Sequence, residues 1–419
     1  MSLSQAKLPK SLGLDGERLA AFYQPIIAMD TRRIIGYEVL GRACKDDQAR
    51  SLGPFFGDPD VPAEDHIVVD RILREQAIQR LSKTAGQSAP LLFINLKPNW
   101  MHRYTESGEL YTLSLIEKYR IDPKRIVLEI TEESFNGSME ELRMVIDLYR
   151  SRGCLIAIDD VGSGFSNTDR IAHIQPNLLK IDMHMIKRSA THGGYLGALR
   201  SFSTLAEQIG ASLLVEGVET KQDLARAIDA GARYVQGYLF AQAEPDFQKD
   251  DRFSGLLEKE LGAHLRSHLQ AEYYWRKQSE KLVQLLSEAS SLPEDGDSQS
   301  MEMDQWIHML LPKLHERSIR VYLCGGDGIQ LSSNFSRNGN QSWRQEDAYQ
   351  GANWSWRPYF IPNLVQLNDR QQAIVSRSYT DLDTREWIRT ISVMTGRGCI
   401  LFVDMRVPDA DVQLENCHD

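Results

Sequence analysis

Seven short apolar runs, rich in Ile, Val and Leu, each close on a charged or amide residue: YEVLGR (37–42), FINL (93–96), VLEITEE (127–133), IAIDDVGSGFSN (156–167), LLKID (178–182), LLVEGVE (213–219) and VQGYLF (235–240). A run of this length without polar alternation reads as a strand buried on both faces, the condition of a parallel sheet. The polar residue at its end then stands at the C-terminal edge of that sheet. Helical stretches lie between the runs, near 65–82, 109–119, 138–152, 168–173, 194–209 and 221–230. With AFYQPIIA and RRIIGYEVLGR at the start, eight or nine strands alternate with helices, which predicts an α/β fold of the (β/α)8 TIM-type barrel. Only Met29-Asp30-Thr31-Arg32 separates the first two strand runs, too little for a helical crossover, so an antiparallel hairpin is expected at the first strand.

The polar residues in question are, in chain order, Glu38, Asn95, Glu129, Asp159, Asp160, Lys180, Glu216, Glu219 and Gln236. Acidic and amide oxygens delivered to one rim of a barrel are what a pair of hard divalent cations requires. A set without Cys or His favours Mg²⁺ or Mn²⁺ over zinc. Taken singly, a carboxylate at a strand end serves as a helix cap or a solvated charge, Asn95 as a turn residue and Lys180 as a surface charge. Asp159-Asp160 weighs the other way. Two like charges directly after the apolar Cys-Leu-Ile-Ala-Ile sit at a buried edge, which is costly without a cation.

The chain of 419 residues exceeds the usual span of one hydrophobic core, and a barrel of about 250 residues leaves a second unit. Residues 1–250 are expected to form the barrel, 251–300 a connecting helix and linker, and 301–419 a smaller α+β domain. In the connecting segment Phe253, Leu257, Leu261, Leu265, Leu269 and Tyr273 recur every four residues, and SLPEDGDSQS (291–300) then breaks the helix. Beyond it one more helix, MDQWIHMLLPKLHER, precedes five strand-like runs: SIRVYLC, GIQLSSNF, AIVSRSYT, WIRTISVM and CILFVDM. A helix with about five antiparallel strands suggests a sensor module of the PAS or Cache kind. The net charge of −10 argues against a binder of DNA or RNA polymers, although a small dianionic nucleotide can be met by metal and one or two basic residues in a pocket. Five widely spaced cysteines suit reduced thiols. No apolar stretch approaches the roughly 20 residues of a membrane span, and MSLSQAKLPKSLGLD lacks the apolar core of a signal peptide, so no membrane partner and a cytoplasmic location are expected.

These runs, in this order, resemble the bacterial EAL-domain family of cyclic di-GMP phosphodiesterases from about residue 20 to 245. The signature tripeptide reads Glu38-Val39-Leu40, its central Ala replaced by Val, which alters packing and leaves the ligand. The resemblance implies two ions per active site. Glu38, Asn95, Glu129 and Asp159 would hold one ion, and Asp159 would bridge to a second that Asp160 completes with help from Glu216. It also implies that Lys180 orients the attacking water, Glu216 accepts its proton, Gln236 tethers water at the ions, Glu219 belongs to the same catalytic set and Glu132 braces the loop Asp160–Asn167. Substrate contacts carry over to Gln24 in YQPI, Arg42 in EVLGR and Asp182 in KID, of which Arg42 can offer the paired donors that phosphate geometry favours. The family pattern has Phe where Val161 stands and Ser or Thr at Asn167, and Ala241-Gln242-Ala243-Glu244-Pro245 replaces its usual Ser and Pro after the last strand.

NWSWRPYF (353–360) and SYTDLDTREWIRTISV (378–393) resemble Cache domains, and the whole layout is similar to EAL proteins with a YkuI-type C-terminal domain. There Arg357, Tyr359, Phe360, Tyr379 and Asp381 could form a pocket, Arg357 meeting a ligand carboxylate and Asp381 an amine, for a small ligand of unknown identity. The alternative makes Trp354, Trp356 and Tyr359 core aromatics and Arg357 a structural ion-pair partner. The function implied is metal-dependent hydrolysis of cyclic di-GMP to linear 5′-pGpG by a homodimer regulated through its C-terminal domain. The rivals are a non-catalytic cyclic di-GMP receptor and a scaffold that binds neither metal nor nucleotide.

Overall fold

The computed structural model describes residues 17–46, 48–84, 89–96, 110–131, 139–162, 168–189, 192–289, 299–337, 342–369 and 372–408. The chain divides into two compact units, one running to Gly262 and the other starting at Ala263, with the division inside the helix Ser254–Ser287. No helix of the described residues is long and apolar enough to cross a membrane.

In the first unit the strands are β1 (Arg18–Ala28), β2 (Arg33–Lys45), β3 (Gln48–Ser51), β4 (Leu91–Leu96), β5 (Ile126–Thr131), β6 (Leu155–Val161), β7 (Leu178–Ile181), β8 (Ser212–Val215) and β9 (Tyr234–Val235). Their order is β1-β9-β8-β7-β6-β5-β4-β2, and β1 also pairs with β2, so the ring closes; β3 extends β2 outside it. Strands β2 and β4 to β9 run parallel around the ring, while β1 is antiparallel to both of its neighbours. The barrel and its reversed first strand are therefore as the apolar runs predicted. Helices at Ala63–Ser82, Tyr111–Tyr119, Met139–Ser151, Thr168–Ile174, Gly193–Ile209 and Lys221–Asp229 lie near the expected positions.

Inside the ring, Ile26, Phe93, Val127, Ala157, Leu178 and Leu214 form one buried cluster, each from a different strand, with Tyr234 of β9 packed against it. The share of β2 in this layer is Gly36. A β-carbon there would lie 2.8 Å from the Leu91 carbonyl oxygen and 2.9 Å from the ring of Phe93, so the glycine makes room for that ring. A bulge between Ile26 and Ile27 sets this register, opposing Ile26 to Gly36 and Ile27 to Ile34.

Two of the strand runs are shorter than expected. LLVEGVE leaves the sheet after Val215, and VQGYLF after Val235. There the two exits bond each other, the Val218 amide donating to the Gln236 carbonyl at 3.0 Å and the Leu239 amide to the Val218 carbonyl at 2.9 Å. The crossing is close enough that only glycine fits at position 237, where a β-carbon would overlap the backbone of Val218.

In the second unit an antiparallel sheet runs β12 (Trp343–Glu346), β11 (Asn334–Arg337), β10 (Ser318–Cys324), β16 (Ile400–Arg406), β15 (Trp387–Met394), β13 (Ala373–Val375), with β14 (Tyr379–Thr380) on β15. This is the smaller α+β part expected, with seven strands where five runs were read. GIQLSSNF gives a strand only from Asn334, because Gln330 diverts its neighbourhood. Its Nε2 donates to the Ser332 carbonyl and to Asn334 Oδ1, both at 2.9 Å, and its Oε1 accepts from Trp354 Nε1 at 2.9 Å. A helix at Phe360–Asp369 was not foreseen. Phe360, Leu364 and Leu367 pack inward, but Ile361 and Val365 on the outer face are apolar too, which hides the helical period.

Candidate metal centre

Side chains on a strand repeat every two residues on one face. Two positions beyond the buried layer toward the C-terminal rim stand Glu38, Asn95, Glu129, Asp159, Lys180, Glu216 and Gln236, one for each parallel strand run. Because β1 runs the other way, its contribution to the same rim comes two residues before Ile26, at Gln24. Every strand of the ring thus delivers a polar side chain at the level just above an apolar floor.

Lys180 is wholly buried, and its Nζ lies 2.6 Å from Glu129 Oε1, 2.7 Å from Glu216 Oε1 and 3.0 Å from Asp159 Oδ1. Glu38 is held from both sides: Gln236 Nε2 donates to its Oε2 at 2.6 Å and Asn95 Nδ2 to its Oε1 at 3.4 Å. The same Gln236 Nε2 reaches Gln24 Oε1 at 3.2 Å, and Gln24 Nε2 donates to the Ala241 carbonyl at 3.3 Å. Asp160 has a left-handed backbone, φ 58°, and its amide donates to Asp159 Oδ1 at 3.0 Å. That conformation costs little for Asp and turns the second carboxylate off the strand direction. Oxygens of Asp159, Asp160 and Glu216 lie within 4.8 Å of one another.

The electrostatics follow from burial. Five carboxylates (Glu38, Glu129, Asp159, Asp160, Glu216) gather around the ammonium of Lys180. Burial pushes the Glu129 carboxyl well above the usual carboxylate range although Lys180 opposes it, and burial does the same to Glu216. Burial would lower the Lys180 ammonium, but Asp159, Glu129 and Glu216 together hold it well above its usual value. Among the described residues Glu129 Oε2 and Gln236 Oε1 are buried without a hydrogen-bond donor. Surplus negative charge, orphaned buried oxygens and an oxygen-only donor set fit hard divalent cations. Glu38, Asn95, Glu129, Asp159, Asp160 and Glu216 are the residues that could hold them. When bound, such cations supply Lewis acidity at a phosphoryl group and activate water.

Asp160 carries a pH dependence. Burial first, then Asp159, push its carboxyl up to about 6, from about 3.9 in an unfolded chain. Between those values the folded, metal-free protein binds the extra proton, so the contribution of Asp160 to stability grows as pH falls from 6 toward 4. A cation needs the ionised carboxylate. Manganese affinity measured by calorimetry is therefore expected to fall at least about tenfold per pH unit below 6, and Asp160→Asn should make that slope shallower by about tenfold per unit.

The other expected residues are placed as follows. Asp182 Oδ1 accepts from the amide and Nδ1 of His184, both at 2.7 Å. Arg42 lies further along β2, its Nη1 on the Gly41 carbonyl at 3.0 Å. Glu219 follows β8 on the rim, where its Oε2 pairs with Lys187 at 2.8 Å and not with Lys180. Glu132 and the loop residues from Ser163 to Asn167 lie outside the described residues. In the second unit Arg357 stacks on Trp356 at 4.5 Å and Trp354 at 5.7 Å, and Tyr359 is partly exposed. Trp356 is 67% exposed, so it is no core aromatic. Asp381 is buried and bound by Arg320 Nη1 at 2.8 Å and the Thr384 amide at 2.9 Å, which occupies the carboxylate expected to meet an amine. Sequence reading overlooked Arg74, a charge among Val69, Leu73, Ala77 and Ile78 on the apolar face of its helix; that misplacement was the available signal.

Residues 5–243 match the EAL domain, and residues 254–408 match the EAL-domain associated signalling protein domain. The chain is 36% identical over 391 residues to the uncharacterized EAL-domain containing protein YkuI of Bacillus subtilis (strain 168), covering 92% of this chain and 93% of that one. The crystal structure of that protein in complex with substrate c-di-GMP and calcium superposes with a TM-score of 0.82 at 34% identity, covering 93% of this chain and 96% of the other. The cyclic di-GMP phosphodiesterase RocR of Pseudomonas aeruginosa is 30% identical over 250 residues, 58% of this chain and 62% of RocR.

Proposed function

The chain belongs to the EAL-domain family, and from that premise we propose that it is a metal-dependent phosphodiesterase that hydrolyses cyclic di-GMP to linear 5′-pGpG. One observation supports the reading most: the rim position of every strand in the ring is polar, and Glu129, Asp159 and Glu216 converge there on Lys180. Mg²⁺ or Mn²⁺, two per site, is the proposed cofactor.

The residues divide the remaining work. Glu216, made more basic by burial, takes the proton of the attacking water as its ionised carboxylate, with Lys180 beside it favouring that ionised form. Lys180 stays cationic against burial and offsets charge that develops near Glu129 and Asp159. Gln236, tied to Glu38 and Gln24, fixes the donors facing the substrate. Arg42 and Gln24 are the proposed phosphate contacts, with Asp182 beside them. Gly237→Ala forces the Gln236 and Val218 backbones apart. A displacement of about 1 Å at this point should lower kcat about 100-fold, as a turnover assay on the full chain would read.

Residues 1–250 are proposed as the catalytic barrel, 251–300 as the connection and 301–419 as a regulatory domain, with Arg357 and Tyr359, and Asp381 behind Arg320, at its ligand site. A cytoplasmic homodimer is the proposed assembly. Calorimetric titration of cyclic di-GMP into the full chain with calcium present tests the substrate assignment: saturable binding that a chelator abolishes is expected, and no binding would overturn it.

A further inference from the structure

Arg74 projects from the helix Ala63–Ser82 and is 2% exposed. Its guanidinium reaches three elements. Nη2 donates to Asp70 Oδ1 and Oδ2 at 2.9 and 2.7 Å and to the Asn95 carbonyl at 3.1 Å, while Nη1 donates to Thr112 Oγ1 at 2.6 Å. Asp70 lies one turn earlier on the same helix, Thr112 is fully buried in the first turn of the helix Tyr111–Tyr119, and Asn95 is the penultimate residue of β4.

A buried guanidinium is a poor choice if the position only fills space. Desolvating it costs several kcal/mol, and an apolar residue of similar volume commonly serves packing as well or better. What Arg supplies in exchange is direction: a rigid planar fork whose donors point to fixed places. One of those places is the backbone of the residue whose side chain meets Glu38. Asn95 is one residue from the end of β4, where a tilt of its backbone, carried through the α-carbon, would swing the side-chain amide away from Glu38. A donor fixed on the carbonyl prevents it, and that donor is in turn braced by Asp70 and Thr112.

We propose that Arg74 is a positioning residue for the cation site, holding the Asn95 carbonyl so that the Asn95 side chain is aimed at Glu38 and the bound ion. The inference rests on the reading of Asn95 as a cation ligand.

A double-mutant cycle on the full chain separates this role from a structural one. Calcium affinity is measured by calorimetry for the wild type, Arg74→Lys, Asn95→Ala and the double variant, alongside melting temperature in chelator. Lys keeps the charge and loses the fork. Arg74→Lys is expected to weaken calcium about 10-fold, and to weaken it less than about twofold further once Asn95 is Ala, while its effect on melting temperature is the same in both backgrounds. Thr112→Val, isosteric and uncharged, should give a smaller loss of the same kind if Arg74→Lys folds poorly. Equal losses of affinity in the two backgrounds would overturn the positioning role while leaving the metal centre standing. Unchanged calcium affinity in Asn95→Ala would remove Asn95 as a ligand and the inference with it. A wild type that binds no calcium would overturn the metal centre itself.

Discussion

Glu38→Ala is expected to lower cyclic di-GMP turnover at least about 1000-fold while leaving the barrel folded, because several kcal/mol of transition-state stabilisation depend on a complete cation site. Glu38 is the point at which two halves of the rim meet, taking Gln236 on one oxygen and Asn95 on the other. Removing it withdraws one negative charge and frees both amides. The apolar floor beneath, from Ile26 to Leu214, is not touched by the change. Asp159→Ala should match it in size, since Asp159 binds both Lys180 and the Asp160 amide. Turnover is read by chromatography at saturating manganese, and folding by circular dichroism. Hydrolysis retained in Glu38→Ala would sink the ligand assignment.

Lys180→Met should act in opposite directions on the metal-free and the metal-loaded protein. Without metal, Lys180 is the cation that Glu129, Glu216 and Asp159 share at 2.6 to 3.0 Å, wholly out of solvent. Removing one partner of a buried ion cluster leaves uncompensated charge and costs about 3 to 5 kcal/mol, which corresponds to a fall in melting temperature on the order of 10 °C for a unit of this size. The loss should be smaller at acid pH, because Glu129 and Glu216 are already disposed to take up protons. Divalent cation then replaces the missing charge, so manganese should raise the melting temperature of Lys180→Met by more than that of the wild type. Turnover should nevertheless be lost. A metal-free melting temperature equal to the wild type would refute the counter-ion role.

Much of this site was legible because burial and polarity conflict in the sequence itself. An acid or amide at the end of a fully apolar strand run has nowhere to go but the rim, which is why the rim positions of Asn95, Glu129, Asp159 and Glu216 are legible in the sequence. The reversed hairpin was legible from the four residues between its strands. Other features depend on contacts between segments far apart in the chain. The crossing of Gly237 over Val218 cuts two strand runs short, and nothing in VQGYLF announces the partner that does so. Glu219 pairs with Lys187 and not with Lys180, a partner that nothing in LLVEGVE announces. In the second unit, side-chain bonds from Gln330 to Ser332, Asn334 and Trp354 override a strand-like run. The helix Phe360–Asp369 carries apolar residues on its outer face, which erases its period.

Cleavage of cyclic di-GMP at the rim of this barrel, loaded with divalent cation, is the proposed reaction. It is tested most directly by incubating the full chain with cyclic di-GMP and Mg²⁺ or Mn²⁺, beside a chelated control, and resolving the products chromatographically. Linear 5′-pGpG that appears only with metal is the expected product. Nucleotide bound to the protein yet recovered intact after prolonged incubation with either metal would contradict it and make the protein a receptor.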